Sequence, residues 1–447
     1  MTRNLLTADQ TAARLGVKLA TVYAYVSRGV LGRTVASDGR TSQFDAAEVD
    51  ELARRGRPRA DSRRAGTVDV VLATSVTGIL GDRLVYRGHD AADLARTATF
   101  EGVAELLWSG ALPAADRGRA GGERWRPARG AVRSARAVVA ALPEAGPVTE
   151  RLAVVTAALA CGDPLRIDLQ PAAVQAHTRS LVATLVATLP SLGATVARPN
   201  LSSGARSSSA GSGSSAASGS SGGSGGSGGS AGPASIATLL WGRLSALTPT
   251  VPRVRLLDAA LILLADHELA TSTLAARVAA STRADPYAVV LAGLGAVSGL
   301  LHGAAGHAPF EMLEDARALG SPERAVARAL ATHGRVPGMG HPLYAEADPR
   351  AACLLELLGP LASRRDRATI DGVIAAAVTT ANCRPNIDLA TAALAFAMRM
   401  PSAATEAIFD IARIAGWVAH AIEEYGEAPL RFRTRALYAG PPQPETS

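Results

Sequence analysis

Apolar residues recur at helical spacing over most of the chain. Phe100, Val103, Ala104, Leu107 and Trp108 share one face of a helix that Gly110 closes and Pro113 follows. Residues 133–160 and 171–193 are rich in alanine, valine and leucine, the pattern of helices packed in a core. That pattern returns at SIATLLWGRLSAL and continues through 257–265, 368–383, 389–400 and 404–425. Two stretches break it. Residues 67–87 are β-rich around turns at Thr77-Gly78 and Gly81-Asp82, which predicts a small β-ribbon. Residues 202–232 are almost pure serine, glycine and alanine; they cannot bury apolar surface and are expected to be a disordered insert. Helical patterning resumes on the same terms after the insert, so it interrupts one domain rather than dividing two. The fold class expected is mainly α.

The first residues carry a pattern of their own. Thr7 is placed to cap a helix over 8–15, Gly16 to stop it, and a second helix over 19–28 sets Val22, Tyr23 and Val26 on one side. Two short helices joined by a glycine-containing turn make a helix-turn-helix. The segment 32–44 predicts a hairpin turning at Asp38-Gly39, and Asp45 caps a third helix. This stretch resembles the winged helix-turn-helix of the MerR and excisionase type. The resemblance implies DNA contact through Lys18, Thr21, Tyr23, Arg28, Arg33 and Arg40. The plainer alternative is a small helical appendage.

Composition and charge narrow the picture. A chain of 447 residues can bury a large core, and 48% hydrophobic with 19% charged residues suits a soluble globular protein. The net charge of +7 rests almost wholly on arginine, for Lys18 is the only lysine. Six arginines fall within 54–64, so 54–66 is expected to be a basic linker, solvated or in contact with nucleic acid. Cys161, Cys353 and Cys383 lie far apart without metal-ligand spacing; free thiols, a reducing compartment and no metal site are expected. The start of the chain lacks the apolar core of a signal peptide, and no apolar run reaches the length of a membrane span. A cytoplasmic protein is the expectation.

Candidate chemistry gathers between 257 and 394. His267, His302 and His341 each lie beside glycine, beside an acidic residue, or in a short loop after an apolar run. His302 precedes Gly303-Ala304-Ala305-Gly306, where backbone can approach a ligand, and His341 sits within Pro337-Gly338-Met339-Gly340-His341-Pro342. A lone histidine on an alanine-rich helix is more often a core or capping residue, and Asp388 by spacing alone is a helix N-cap. Arg350, Arg413 and Arg433 could clamp carboxylates with both arms of the guanidinium. Arg413 lies on an otherwise apolar segment, where a charge has either a ligand or an internal ion pair, with Asp410 or a glutamate. Acid, base and anion clamp together are the inventory for proton abstraction next to a carbonyl.

From about 67 to 441, the insert omitted, the chain resembles the citrate synthases. The segments that carry the resemblance run in the family's order: LVYRGHDAADLA, FEGVAELLWSGALP, ADHELATSTLAARVAAST, GAVSGLLHGAAG, PGMGHPLYAEADPRA, PNIDLATAAL, IARIAGWVAHAIEE and RTRALYAGP. The resemblance implies an all-helical homodimer with large and small subdomains, and an active site in a cleft that closes during catalysis. The expected organisation is 1–53, linker 54–66, synthase-like 67–441 and tail 442–447. The resemblance further implies acetyl-CoA and oxaloacetate as substrates, with no cofactor. Asp388 would be the base, His302 the donor to the thioester oxygen, and His341 the donor to the ketone. His267, Arg350, Arg413 and Arg433 would bind oxaloacetate, Arg433 reaching in from the partner subunit. The chain departs from the family's pattern at Gly306, where asparagine is usual, and at Ala345, where a basic residue is usual. It departs again at Pro342-Leu343 and at Thr434. These departures leave propionyl-CoA open as donor, and also a regulator that senses a keto acid or acyl-CoA through the synthase-like part.

Overall fold

The computed structural model describes residues 5–15, 17, 19–27, 31–35, 42–54, 70–114, 125–143, 146–191, 234–299, 302–344 and 346–433. The chain divides into two compact units, Met1–Ala73 and Thr74–Ser447. In the first unit Thr7 and Gln10 satisfy each other's backbone donors. The Thr7 hydroxyl accepts from Gln10 N at 3.3 Å and the Gln10 side chain accepts from Thr7 N at 2.9 Å, a capping box that starts the helix Ala8–Leu15. A second helix, Leu19–Ser27, follows. Strands Leu5–Thr7, Thr34–Val35 and Ser42–Asp45 form an antiparallel sheet with Ser42–Asp45 in the middle, and the Asp45 side chain accepts from Ala47 N to open the helix Ala46–Arg54. Ala12, Leu15, Val22, Leu31, Phe44 and Val49 make its apolar core. Among the expected DNA contacts, Thr21 is half-buried and Tyr23 and Arg33 are exposed; Lys18, Arg28 and Arg40 lie outside the described residues, as do Gly16 and the Asp38-Gly39 turn. Residues 55–69 and the insert 202–232 also lie outside them.

The second unit is helical apart from one small sheet. Strands Thr77–Leu80, Arg83–Tyr86 and His89–Asp90 pair antiparallel in sequence order. The turn expected at Gly81-Asp82 links the first two, with Gly81 at φ +65. The turn expected at Thr77-Gly78 is instead inside a strand. The run 133–160, expected to be one helix, is two, Ala131–Val139 and Val148–Cys161. Pro143 and Pro147 fall between them, and proline breaks a helix by removing a donor and clashing with the preceding turn.

Two helices set the centre. Val251–Leu264 is buried continuously from Leu256 to Leu264, each leucine or isoleucine contributing roughly 1.5–3 kcal/mol. The longest helix among the described residues, Ala403–Tyr425, runs through the core, and Gly416 N donates to Ala265 O across the helix contact at 3.0 Å. A side chain at Gly416 would collide with the Asp266 carboxyl and the Ala265 carbonyl; one at Gly293 would collide with the Trp417 ring. These contacts bring the loop after Leu264, which carries His267, against the middle of Ala403–Tyr425, which carries Arg413. Among the described residues no helix is long and apolar enough to cross a membrane.

Candidate active site

Asp266 anchors the loop that presents His267. Its carboxylate accepts from the Thr77 hydroxyl and, at 3.0 Å, from His420 Nε2. The Nδ1 atom of His420 meets Arg277 Nη1 at 3.0 Å; a guanidinium only donates, so Nδ1 is the acceptor and Nε2 carries the hydrogen. Arg277 also donates to Glu423 and Glu424, and Glu424 accepts two bonds from Arg431. Burial works against the charge of Asp266, but His420, Arg413 and the Thr77 hydroxyl outweigh it and hold the carboxyl below the ordinary range. Glu268 takes a left-handed backbone, φ +52, which turns the chain away directly after His267.

His267 and His341 come together. Their ring centroids are 4.9 Å apart, and Tyr344 stands 5.6 Å from one ring and 5.0 Å from the other. The Tyr344 hydroxyl and His267 Nε2 are 2.9 Å apart. The loop bearing His341 is stitched to the start of the helix Ile387–Ala397. Gly340 N donates to Arg384 O, Asn386 N to Gly338 O, and the Asn386 side chain to Gly340 O. Gly338 and Gly340 both have positive φ, and a side chain at Gly338 would strike Leu389. His341 Nδ1 accepts from Leu343 N at 3.2 Å, which leaves the hydrogen of the neutral ring on Nε2. Burial, reinforced by Arg350 and opposed by Asp348, lowers the His341 pKa to about 4.

Asp388 is not the cap of its helix. Asn386 is, accepting from Asp388 N at 3.0 Å and Leu389 N at 3.4 Å. The Asp388 carboxyl is therefore not spent on capping, and it makes no hydrogen bond among the described residues. Burial raises its pKa above the carboxylate range; Asp348 adds to this, and Arg350, Arg335 and Arg413 oppose it. Arg350, 3% exposed, pairs through Nε and Nη2 with Asp348 at 2.9 and 2.8 Å, leaving Nη1 outside the pair. Burial disfavours the Arg350 charge, and the Asp348 carboxylate more than restores it.

Arg413 is 2% exposed, and its Nε and Nη1 have no partner. The internal ion pair with Asp410 does not form: the Asp410 carboxyl bonds the Thr149 hydroxyl at 2.5 Å instead. Arg413 lies 4.8 Å from the Phe409 ring, and the same ring is 5.7 Å from that of His302. His302 Nε2 is 2.8 Å from Ser272 Oγ, which also accepts from Trp417 Nε1 at 3.2 Å. Burial and Arg413 together lower the His302 pKa to about 4. His302 leads into the short turn Gly303–Gly306, and a side chain at Gly306 would strike Thr405. Arg433 is exposed and makes no ion pair among the described residues; Ala345 and Thr434 lie outside them.

The structure thus gathers His267, His341 and Arg350 around Tyr344, joins Asp388 to the His341 loop through Asn386, and sets Arg413 near His302. Tyr344, Ser272, Asp348, Asn386 and Asp266 were not anticipated. Only the Asp348-Pro349-Arg350 run, an acidic residue before a proline that opens a helix, carries a readable cue. Among the described residues no cluster of histidine, cysteine and carboxylate side chains could hold a metal ion.

Known proteins can be set beside this geometry. A family model for the citrate synthase C-terminal domain matches residues 66–435. The chain is 29% identical over 396 residues to the citrate synthase of Mycolicibacterium smegmatis, a match covering 86% of this chain and 96% of that one. It is 28% identical over 415 residues to the 2-methylcitrate synthase of Mycobacterium tuberculosis strain H37Rv, covering 91% and 95%. The solved ternary complex of Thermoplasma acidophilum citrate synthase with carboxymethyl coenzyme A and oxaloacetate superposes with a TM-score of 0.62 at 21% identity. That match covers 85% of this chain and 96% of that one, and it speaks to the fold alone. With the family model spanning most of the chain, and the mainly helical fold shared, the chain belongs to the citrate synthase family and is an enzyme of the citrate or 2-methylcitrate synthase type.

Proposed function

We propose that the chain condenses acetyl-CoA with oxaloacetate and hydrolyses the resulting citryl-CoA to citrate and CoA. The observation that carries this is Arg413, a buried guanidinium with two nitrogens unpaired beside the neutral His302. A desolvated cation of that kind is completed by an anion, and a dicarboxylate keto acid supplies one. His267, Arg350 and Arg413 bind oxaloacetate, with Arg433 contributed by the partner subunit of a homodimer.

Asp388 takes a proton from the acetyl methyl group. A thioester α-proton is weakly acidic, so its removal needs simultaneous stabilisation of charge at the oxygen. The Ser272 hydroxyl donates to His302 Nε2, which turns Nδ1–H toward the thioester oxygen. His341 Nε2–H polarises the ketone and protonates the new alkoxide as the carbon–carbon bond forms. One water then cleaves the thioester. No metal or prosthetic group is required, as in citrate synthases generally, and acyl-CoA is a substrate.

The assay is thiol release from oxaloacetate with acetyl-CoA, then with propionyl-CoA, and Asp388→Ala alongside. Release favouring acetyl-CoA and lost in the variant is the expected result. The 2-methylcitrate synthase relative, matched over nearly the whole chain, supports a second reading, and preference for propionyl-CoA would establish it. No release with either donor from a folded protein that binds oxaloacetate would reject both.

The first 53 residues are proposed as a separate winged helix-turn-helix for DNA. Two consecutive short helices, the paired strands after them, and the exposed Tyr23 and Arg33 support this.

A further inference from the structure

Asp348 has no part in the chemistry proposed above, yet its carboxylate takes four hydrogen bonds. Oδ1 accepts from Arg350 N at 3.0 Å and Arg350 Nε at 2.9 Å; Oδ2 accepts from Arg350 Nη2 at 2.8 Å and Ile387 N at 3.0 Å. It is 3% exposed. A simple helix cap would need only the bond to Arg350 N, and a simple ion pair only the guanidinium. The bond to Ile387 belongs to neither role. Ile387, 39 positions along the chain from Asp348, opens the helix whose next residue is Asp388.

We propose that Asp348 is a positioning residue that ties the Arg350 guanidinium to the start of the Asp388 helix and balances the charge between them. This rests on the roles proposed for Arg350 and Asp388. Engaging Nε and Nη2 fixes the plane of the Arg350 fork and reserves Nη1 for a substrate carboxylate. Holding Ile387 N fixes where the base stands relative to that fork. The negative charge also shields the base: a guanidinium left bare beside Asp388 would favour its carboxylate and make it a weaker proton acceptor. The charged groups acting on Asp388 are Arg350, Asp348, Arg335 and Arg413, and those acting on Asp348 include Arg350 and His341.

The test is the pH profile of kcat/KM for Asp348→Asn and Arg350→Gln. In Asp348→Asn a like charge is lost and Arg350 is uncompensated, so the acidic limb moves to lower pH. The KM for oxaloacetate rises roughly tenfold as the fork loosens. In Arg350→Gln the carboxylate of Asp348 is left unopposed, and the limb moves to higher pH. Opposite displacements are the expected result, because a purely structural role would lower the rate at every pH and leave the limb in place. An unmoved limb in Asp348→Asn overturns the proposal. Where that variant does not fold, an unmoved or lowered limb in Arg350→Gln overturns it. Asp388→Ala separates the two levels: full activity there removes the mechanism itself, whereas a dead variant beside an unmoved limb removes only the role of Asp348.

Discussion

The helix Ala403–Tyr425 carries two groups of buried charge that are treated in opposite ways. Near its end, His420, Glu423 and Glu424 meet Arg277, Arg431 and Asp266, and each charge lies within hydrogen-bond distance of an opposite one or of His420. Arg277 Nη2 and Asp266 Oδ1 remain without a partner there, but two turns earlier Arg413 is equally buried, two of its nitrogens meet nothing, and no carboxylate pairs with it among the described residues. Desolvation penalises both groups. The first recovers that cost within the fold, so it serves as architecture. The second has no such partner, and under the proposed function an anionic substrate would supply it. Burial alone does not separate a structural charge from a functional one; the inventory of partners does.

The contrast is most strongly tested by Arg277→Met. Removing one member of a paired buried network leaves Glu423 and Glu424 without it, and stability should fall by about 3–5 kcal/mol in denaturant titration. The kcat of the remaining folded enzyme should change little; a large loss of kcat at unchanged stability would reverse the assignment. Arg413→Leu should do the opposite. Its Tm should stay level or rise, since an unpaired buried charge is removed, while the KM for oxaloacetate increases on the order of a hundredfold. A falling Tm with unchanged KM would place Arg413 with the architecture.

The smallest effect concerns Asp410, one turn before Arg413. Its Oδ1 has no partner, and the Thr149 hydroxyl that meets its Oδ2 also meets Glu406 Oε1. One hydroxyl hydrogen cannot serve two carboxylates, so one of the two acids holds a proton. Burial pushes Asp410 up to about 8, with Glu406 and Glu150 adding and Thr149 opposing, so the proton is on Asp410. A folded-state pKa raised above the unfolded value contributes stability that is complete below the unfolded pKa. That contribution is lost as pH climbs to the folded one. Asp410→Asn should therefore match the wild type in Tm near pH 4 and exceed it progressively up to about pH 8. A constant difference across that range would mean that Asp410 is ionised throughout.

Much of this was legible in the chain. Apolar spacing located the helices, and glycine-rich loops flagged His302 and His341. Two of the plainer alternatives failed for a physical reason of the same kind. Asp388 looked like a helix cap because aspartate at a helix start usually is one, but Asn386 stands two residues earlier and takes both donors. For Arg413 the plainer alternative was an internal pair, because Asp410 is one turn away, but Thr149, 261 positions distant from Asp410, claims that carboxyl first. Local spacing lists possible partners, and tertiary packing chooses among them. Tyr344, Ser272 and Asp348 were missed because their meaning lies in contacts across 77, 30 and 39 positions. The break between Ala131–Val139 and Val148–Cys161, in contrast, is written locally, in Pro143 and Pro147.

The stitch between the Gly338–His341 loop and the Arg384–Asn386 turn has a consequence in time as well as in space. Three hydrogen bonds clasp these segments, so neither can swing without carrying the other. His341 and Asp388, which would address different substrates, therefore belong to one moving body. Their amide signals should report a single exchange rate rather than two, and the enzyme would ready both reactants in the same stroke.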